Sequence, residues 1–397
     1  GGSSMVTSLG GALDVFGQLR TASNASADLS ADSFRLGSRG ILTARTGSSL
    51  TINAPVANLD GQTRLEQNAS MTFAGSATAI GPTTANLNAS LTAGGTFTNL
   101  DTFTITSGTI SAPLFFNRDA ANIFGTSALF GSYTNDAGAT TTIRSGTLFV
   151  FGSLTNNGTI VGTICAGCAG SPPTLDLTGS LVLGPDANLT MPFVDALVRL
   201  GGNFDAAINN NTRYDMARAI LQLEGTGAPQ TLEAMSLDRG QDPTALDRTI
   251  AGNFPIGTLR VGPNPSLVRT VDTRDNDGQP GCEAIYVDTL IIEAGSTLDT
   301  SACVTIYYNT LVNNGTVTDE TKLVPIEPCA ADFDGSGFLD SDDFVFYLDQ
   351  FTLGCVGPGE DVFGANPSCV KSADFDQSGF VDVDDFVAYL AAFEVGC

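Results

Sequence analysis

The sequence predicts a two-part, mainly β protein: a right-handed β-solenoid (β-helix) body over residues 1–326, then a small α-helical domain over 327–397. Three observations predict it. Short runs rich in β-branched and aromatic residues fill the first part, broken by Gly, Asn, Asp and Ser roughly every six to ten residues. Several of these runs recur, one pair at a spacing near 20 residues. Beyond residue 326 an acidic twelve-residue stretch occurs twice, and the apolar period changes from that of strands to that of helices.

The body is read from runs such as TFTITSGTI, GTLFVFGSL and VTIYYNTL. GSLTNNGTIVGT (152–163) returns as NTLVNNGTVTDE (309–320), AGGTFTN (93–99) as AGSTLDT (294–300), and NASMTFAG (68–75) as NASLTAGG (88–95). CEAIYV (282–287) and CVTIYY (303–308) lie 21 residues apart, about the length of one solenoid coil. Stacked coils lie about 4.8 Å apart. A disulfide needs Cα atoms about 4.4–6.8 Å apart. Equivalent cysteines on successive coils meet that condition, so a Cys282–Cys303 bridge is predicted. Residues 212–250 depart from the pattern: RYDMARAILQLEG starts as a helical turn and continues as a strand, and TLEAMSLDRGQDPTALDR reads as a lateral insertion or a broad loop.

The boundary falls at ETKLVPIEPC (320–329), where Pro325 and Pro328 favour an extended linker. Past it, Phe344, Tyr347, Leu348 and Phe351 recur at helical spacing, as do Phe386, Tyr389, Leu390 and Phe393. Each repeat is therefore a loop followed by an amphipathic helix. The two aromatic faces are expected to pack on each other.

The loops are DFDGSGFLDSDD (332–343) and DFDQSGFVDVDD (374–385). A calcium loop of EF-hand type takes oxygens from positions 1, 3, 5, 7, 9 and 12, with Gly at 6 for the sharp turn. Those positions hold Asp332, Asp334, Ser336, the Phe338 carbonyl, Asp340 and Asp343, with Gly337 at 6. In the second copy they hold Asp374, Asp376, Ser378, the Phe380 carbonyl, Asp382 and Asp385, with Gly379 at 6. Four carboxylates in one loop repel each other unless a cation sits among them. Two calcium ions are expected. Position 8 is apolar, Leu339 and Val381, as a short strand joining the loops would need.

Composition narrows the chemistry. The chain has 397 residues, a net charge of −25, no His and no Trp, and its lysines are Lys322 and Lys371. His-dependent triads and His-ligated zinc are excluded. The acidic surface disfavours nucleic acid and anionic membranes. No 18-residue apolar run spans a membrane. The opening GGSSM carries no visible secretory leader and reads either as a cloning remnant or as the start of a processed mature chain. Eight cysteines, Cys165, Cys168, Cys282, Cys303, Cys329, Cys355, Cys369 and Cys397, form an even set that suggests an oxidising compartment. Cys329 and Cys355 bracket the first acidic loop, and Cys369 and Cys397 the second. CAGC (165–168) sits among strands and is followed by AGSPP, so it reads as a structural loop disulfide. DTRDNDGQPG (272–281) begins like half a calcium loop, with Glu283 at position 9 the one acid that follows, and reads as a solvated turn. Asn-Xaa-Ser/Thr triplets occur at Asn24, Asn68, Asn88, Asn157, Asn188, Asn210 and Asn314. In an Asn- and Thr-rich chain chance accounts for many of them, Asn on stacked coil turns also forms side-chain hydrogen-bond ladders, and the triplets do not by themselves indicate glycosylation.

Asp at position 12 and the absence of room for an entering helix distinguish the tail from ordinary EF-hands. ADFDGSGFLDSDDFVFYLDQFTLGC (331–355) and ADFDQSGFVDVDDFVAYLAAFEVGC (373–397) resemble type I dockerins, and more closely the GC-type dockerin tails of planctomycete surface proteins. The resemblance covers about 70 residues. A weaker one, over 212–316, is to the last coils of large planctomycete β-solenoid surface proteins. Positions 10 and 11, Ser341–Asp342 and Val383–Asp384, depart from the paired Ser/Thr that cellulosomal dockerins offer to a cohesin. The resemblance implies an extracellular or cell-surface structural or adhesive protein with a calcium-stabilised, doubly disulfide-bonded anchoring or assembly tail. Its partners would be other copies of itself or a surface protein, with a polysaccharide as a further candidate. Solenoid ends expose strand edges that must be capped or joined, so filaments are one expectation. The alternative is a secreted β-helix enzyme, a polysaccharide lyase or glycoside hydrolase. It would need converging acids with an arginine, or two paired carboxylates.

Overall fold

The computed structural model describes residues 4–8, 10–164, 171–326, 331–334, 339–376 and 378–395. By internal contacts the chain divides into a large unit, Gly1–Asp238 with Arg248–Val324, and a small one, Arg239–Asp247 with Pro325–Cys397.

The large unit is a β-solenoid of about 15 turns. Its strands pair in parallel with the equivalent strand of the next coil, beginning with Ser4–Ser8 on Ser26–Ser30 and continuing onto Ser49–Asn53. Alternation explains why these runs become strands. Ser70–Phe73 and Ser90–Ala93 each turn every second side chain inward. Register then stacks like on like. Leu50, Met71, Leu91, Ile110, Leu129, Val150, Leu177, Leu200, Leu223, Val261 and Ile292 form one continuous buried column. Each such side chain contributes about 1.5–3 kcal/mol of hydrophobic stabilisation. Rings stack in the same way: Phe97 on Phe115 with centroids 5.4 Å apart, and Tyr286 on Tyr307 at 4.8 Å.

Two polar columns accompany the apolar one. At one corner Asn24, Gly47, Asn68, Asn88, Ser107 and Gly125 all have left-handed backbones, with φ between 47° and 68°. Asn and Gly tolerate that region best. The Asn-Ala-Ser triplets at 24, 68 and 88 are the signature of this corner. Asn takes the left-handed turn with its side chain exposed, Ala is buried, and Ser opens the strand. At another corner Asn99, Asn117, Asn135 and Asn156 are fully buried and in register. The Nδ2 of each of the first three donates to the next Oδ1 at 2.8 Å, and the Asn156 Nδ2 donates to the Asn188 carbonyl at 3.0 Å.

Along the buried column most steps span 19–23 residues, as from Leu91 to Ile110 or Leu200 to Leu223. Three are longer: Val150 to Leu177, Leu223 to Val261 and Val261 to Ile292. The first contains Cys165 and Cys168, which lie outside the described residues. In the second, the expected insertion is narrower than 212–250. After a 3-10 turn at Asn211–Arg213, Tyr214–Leu223 and Gln230–Glu233 belong to the coils, and the excursion occupies 234–255. The third holds the loop 272–283. Cys282 and Cys303 are bridged across the coils Ala284–Ile292 and Thr305–Asn313, with Cα atoms 6.0 Å apart, and Tyr286 pairs with Tyr307 in register.

The small unit contains two helices, α1 (Ser341–Leu353) and α2 (Val383–Val395). Asp340 caps α1 and forms a capping box with Asp343, and Gly354 ends it in a left-handed turn at φ 68°. The aromatic faces meet. Tyr347 and Tyr389 stack at 3.9 Å, nearly parallel, while Phe344 lies 6.2 Å from Phe393 and Phe351 lies 5.9 Å from Phe386. Leu339 and Val381 pack against this core, and no strand pairing joins them among the described residues. Cys355 bonds to Cys369, so the bridge links the end of the first repeat to the lead of the second, around a three-stranded antiparallel sheet. Cys329 and Cys397 lie outside the described residues. The described bridges mark an oxidising, extracellular type of environment. No described helix is long and apolar enough to cross a membrane.

Candidate metal centres

In each repeat the entry to the loop and the helix N-terminus bring three carboxylates together. Oxygens of Asp332, Asp334 and Asp343 lie within 4.8 Å of one another, as do those of Asp374, Asp376 and Asp385. The last acid of each triad is fully buried on the first turn of its helix. Asp343 Oδ1 accepts from the Asp334 N–H at 3.0 Å and Oδ2 from the Asp340 N–H at 2.9 Å. Asp385 repeats this with Asp376 at 3.0 Å and Asp382 at 2.8 Å. Burial alone would raise the Asp343 carboxyl, but the N–H groups of Asp334 and Asp340 outweigh it and hold the group below its ordinary range.

The outer acids are set by the loop backbone. Asp374 Oδ2 accepts from the Gly379 N–H at 2.8 Å, and Gly379 is left-handed at φ 88°. Asp376 Oδ1 accepts from the Ser378 N–H at 2.9 Å, which holds its carboxyl below the ordinary range. Asp374 Oδ1 is buried with no hydrogen-bond partner. That orphaned oxygen, beside two more carboxylates, is what a cation would satisfy.

Not every expected ligand joins a triad. Asp340 and Asp382 serve as helix caps, accepting from the N–H groups of Asp342 at 2.7 Å and Asp384 at 2.8 Å. Ser378 is exposed, and its Oγ lies 3.4 Å from the Phe380 carbonyl. Ser336 and Phe338 lie outside the described residues.

Each loop is positioned by the other repeat. Tyr347 Oη lies 3.4 Å from the Ala373 carbonyl, just before Asp374, and Tyr389 Oη lies 3.4 Å from the Ala331 carbonyl, just before Asp332. Both alanines are buried, which accounts for the repeated Ala-Asp-Phe. Lys371 adds a contact that the sequence did not signal. Its Nζ donates to the Asp332 and Phe333 carbonyls at 3.2 Å and lies 4.6 Å from the Phe333 ring centroid.

On the solenoid, arginines pair with acids of neighbouring coils. Arg199 meets Asp176 at 3.0 Å, Arg269 meets Asp299 at 2.8 Å, Arg118 meets Asp136 at 2.8 Å and Arg260 meets Glu293 at 3.5 Å. These partners lie 18 to 33 residues apart in sequence, so only the coil register reveals them. A cavity of about 340 Å³ opens on the body beside Gly225, Thr226, Pro229, Ser266 and Thr297, with no acid or base in its wall. Compared with family models, curated proteins and solved structures, the chain matches none of them.

Proposed function

We propose that this chain is an extracellular, non-enzymatic structural or adhesive protein, with a right-handed solenoid as its shaft and a dockerin-like, calcium-loaded tail as its anchoring or assembly module. The duplicated triad carries the reading. Three carboxylates within 4.8 Å, one of them fully buried, repel one another without a cation. Their donors are all hard oxygens, and a twelve-residue loop with Gly at position 6 suits calcium. Ca²⁺ would sit on Asp332, Asp334 and Asp343, and on Asp374, Asp376 and Asp385, lock each helix start to its loop, and so order the surface the tail offers. Phe380, Val383 and Val387 are 69%, 67% and 57% exposed, an apolar row that supports docking. On the body, the stacked and half-exposed Phe130 and Phe151, with centroids 4.4 Å apart, form a platform suited to a sugar ring. The pairing of arginines with neighbouring acids supports a shaft more than a polysaccharide-cleaving groove.

The test is electron microscopy of the natively isolated protein in millimolar calcium and after chelation, beside far-ultraviolet circular dichroism of the same samples. Regular fibres that fray on chelation, with loss of helical signal, are expected for a calcium-dependent assembly. Isolated short rods in both conditions would overturn self-assembly and leave the tail as an anchor to a separate surface protein. Release of reducing ends from acidic polysaccharides would overturn the non-enzymatic reading.

A further inference from the structure

We propose that the loop 272–283 of the solenoid body is a third cation site, binding a hard divalent cation of the calcium class on Asp275, Asp277 and Glu283. Oxygens of these three residues lie within 4.8 Å of one another. The sequence reads as a solvated turn, and the structure differs at its key position. Glu283 is 3% exposed and its Oε2 is buried with no hydrogen-bond partner. Its Oε1 accepts from the N–H groups of Asn276 and Asp277, the latter at 2.9 Å. The other buried glutamate of this region is provided for. Glu233 accepts from the Thr273 N–H, the Thr273 hydroxyl and the Arg274 N–H at 2.5, 2.6 and 2.7 Å. A buried carboxylate oxygen with no hydrogen-bond partner is costly to retain, which calls for a partner that the protein itself does not supply.

The loop is built rather than loose. Asn276, fully buried, donates to the Ala206 and Ile208 carbonyls at 3.0 and 2.7 Å, which ties the loop to a neighbouring coil. Asp275 Oδ1 receives the Gly278 N–H at 2.7 Å, and Gly278 is left-handed at φ 71°. The Cys282–Cys303 bridge holds the return beside Glu283.

Charge is left unbalanced. The loop carries Asp272, Asp275, Asp277 and Glu283, and its one basic residue, Arg274, forms a two-pronged pair with Asp205 at 3.0 Å for each contact. A pocket of about 210 Å³ fronts the cluster, lined by Asp272, Asp275, Gln279 and Glu283 among others. That is room for the waters that complete a six- to eight-oxygen shell. Zinc is disfavoured, because the chain has no His and Cys282 is bridged.

The test uses the full chain with Asp343→Asn and Asp385→Asn, which disarm the tail triads. Equilibrium dialysis against radioactive calcium should find one ion per chain. Adding Glu283→Gln should weaken that ion roughly tenfold or more. Adding the exposed Asp275→Asn instead should also weaken it, with melting in chelator unchanged, which separates loss of a ligand from loss of fold. No bound ion at millimolar calcium would overturn the proposal. So would an ion whose affinity ignores both substitutions.

Discussion

Replacing Asn117 with Ala would interrupt the buried asparagine ladder at an interior rung. Asn117 accepts from Asn99 and donates to Asn135, each at 2.8 Å, and its Nδ2 also lies 3.1 Å from the Thr140 carbonyl and 3.2 Å from that of Asp119. Two ladder bonds at about 0.5–1.5 kcal/mol each, plus carbonyl groups left without their side-chain donor, give a loss of about 3 kcal/mol. Asn99 is the built-in comparison. It begins the ladder, makes one rung bond, and its Oδ1 is already without a partner. Asn99→Ala should therefore cost about half as much. Urea unfolding in calcium-containing buffer would measure both, with amide hydrogen exchange across residues 97–160 reporting local opening, since coils need not unfold as one unit. Equal costs for the two substitutions, or an Asn117→Leu chain as stable as the parent, would refute the idea that the ladder stabilises these coils.

Other consequences follow from the same geometry. Joint replacement of Cys282 and Cys303 by Ser should lower stability by about 3 kcal/mol, read from the urea midpoint, because the bridge closes a loop of 21 residues. Gly131→Ala should cost about 2–4 kcal/mol and slow expression of folded protein, since φ is 133° and a Cβ would lie 1.8 Å from the Ala112 carbonyl oxygen. Hydrogen bonding from Ser301 and Arg269 holds the Asp299 carboxyl well below its ordinary range. Its stabilisation is thus full above about pH 4 and lost as pH falls from there toward the lower folded value. Acid titration of the melting temperature should be shallower in Asp299→Asn.

The sequence carried the solenoid because its determinants are local: alternation, turn residues and a repeat near coil length. It carried the Cys282–Cys303 bridge because that pair sits at the same phase of two recognisable repeats. The helix faces were legible for the same reason, as Phe344, Tyr347 and Phe351 mark one stripe without any knowledge of the partner. Features set by register across coils of unequal length were hidden. Asn99 and Asn156 belong to one ladder, yet nothing in their flanks says that they share a corner. Arg199 and Asp176 meet only because Leu200 stacks on Leu177. The burial of Glu283 was invisible because its loop is anchored by Asn276 to residues about 70 positions earlier. In the tail, which acids converge and which act as caps depends on where each helix begins, a matter of one or two residues that composition does not resolve.

The left-handed corner also bears on how the protein is produced. Asn24, Asn68 and Asn88 stand exposed on that one corner, separated by a Gly47 coil in one interval and adjacent in the other. A host that attaches N-linked glycans at Asn-Xaa-Ser would read these turn residues as acceptors. It would then plant up to three glycans along a single edge of the solenoid, at intervals of about 5 and 10 Å set by strand spacing. Protein from a non-glycosylating host would keep that edge bare. A side-by-side association found in one preparation and missing in the other would trace back to a preference for Asn at positive φ.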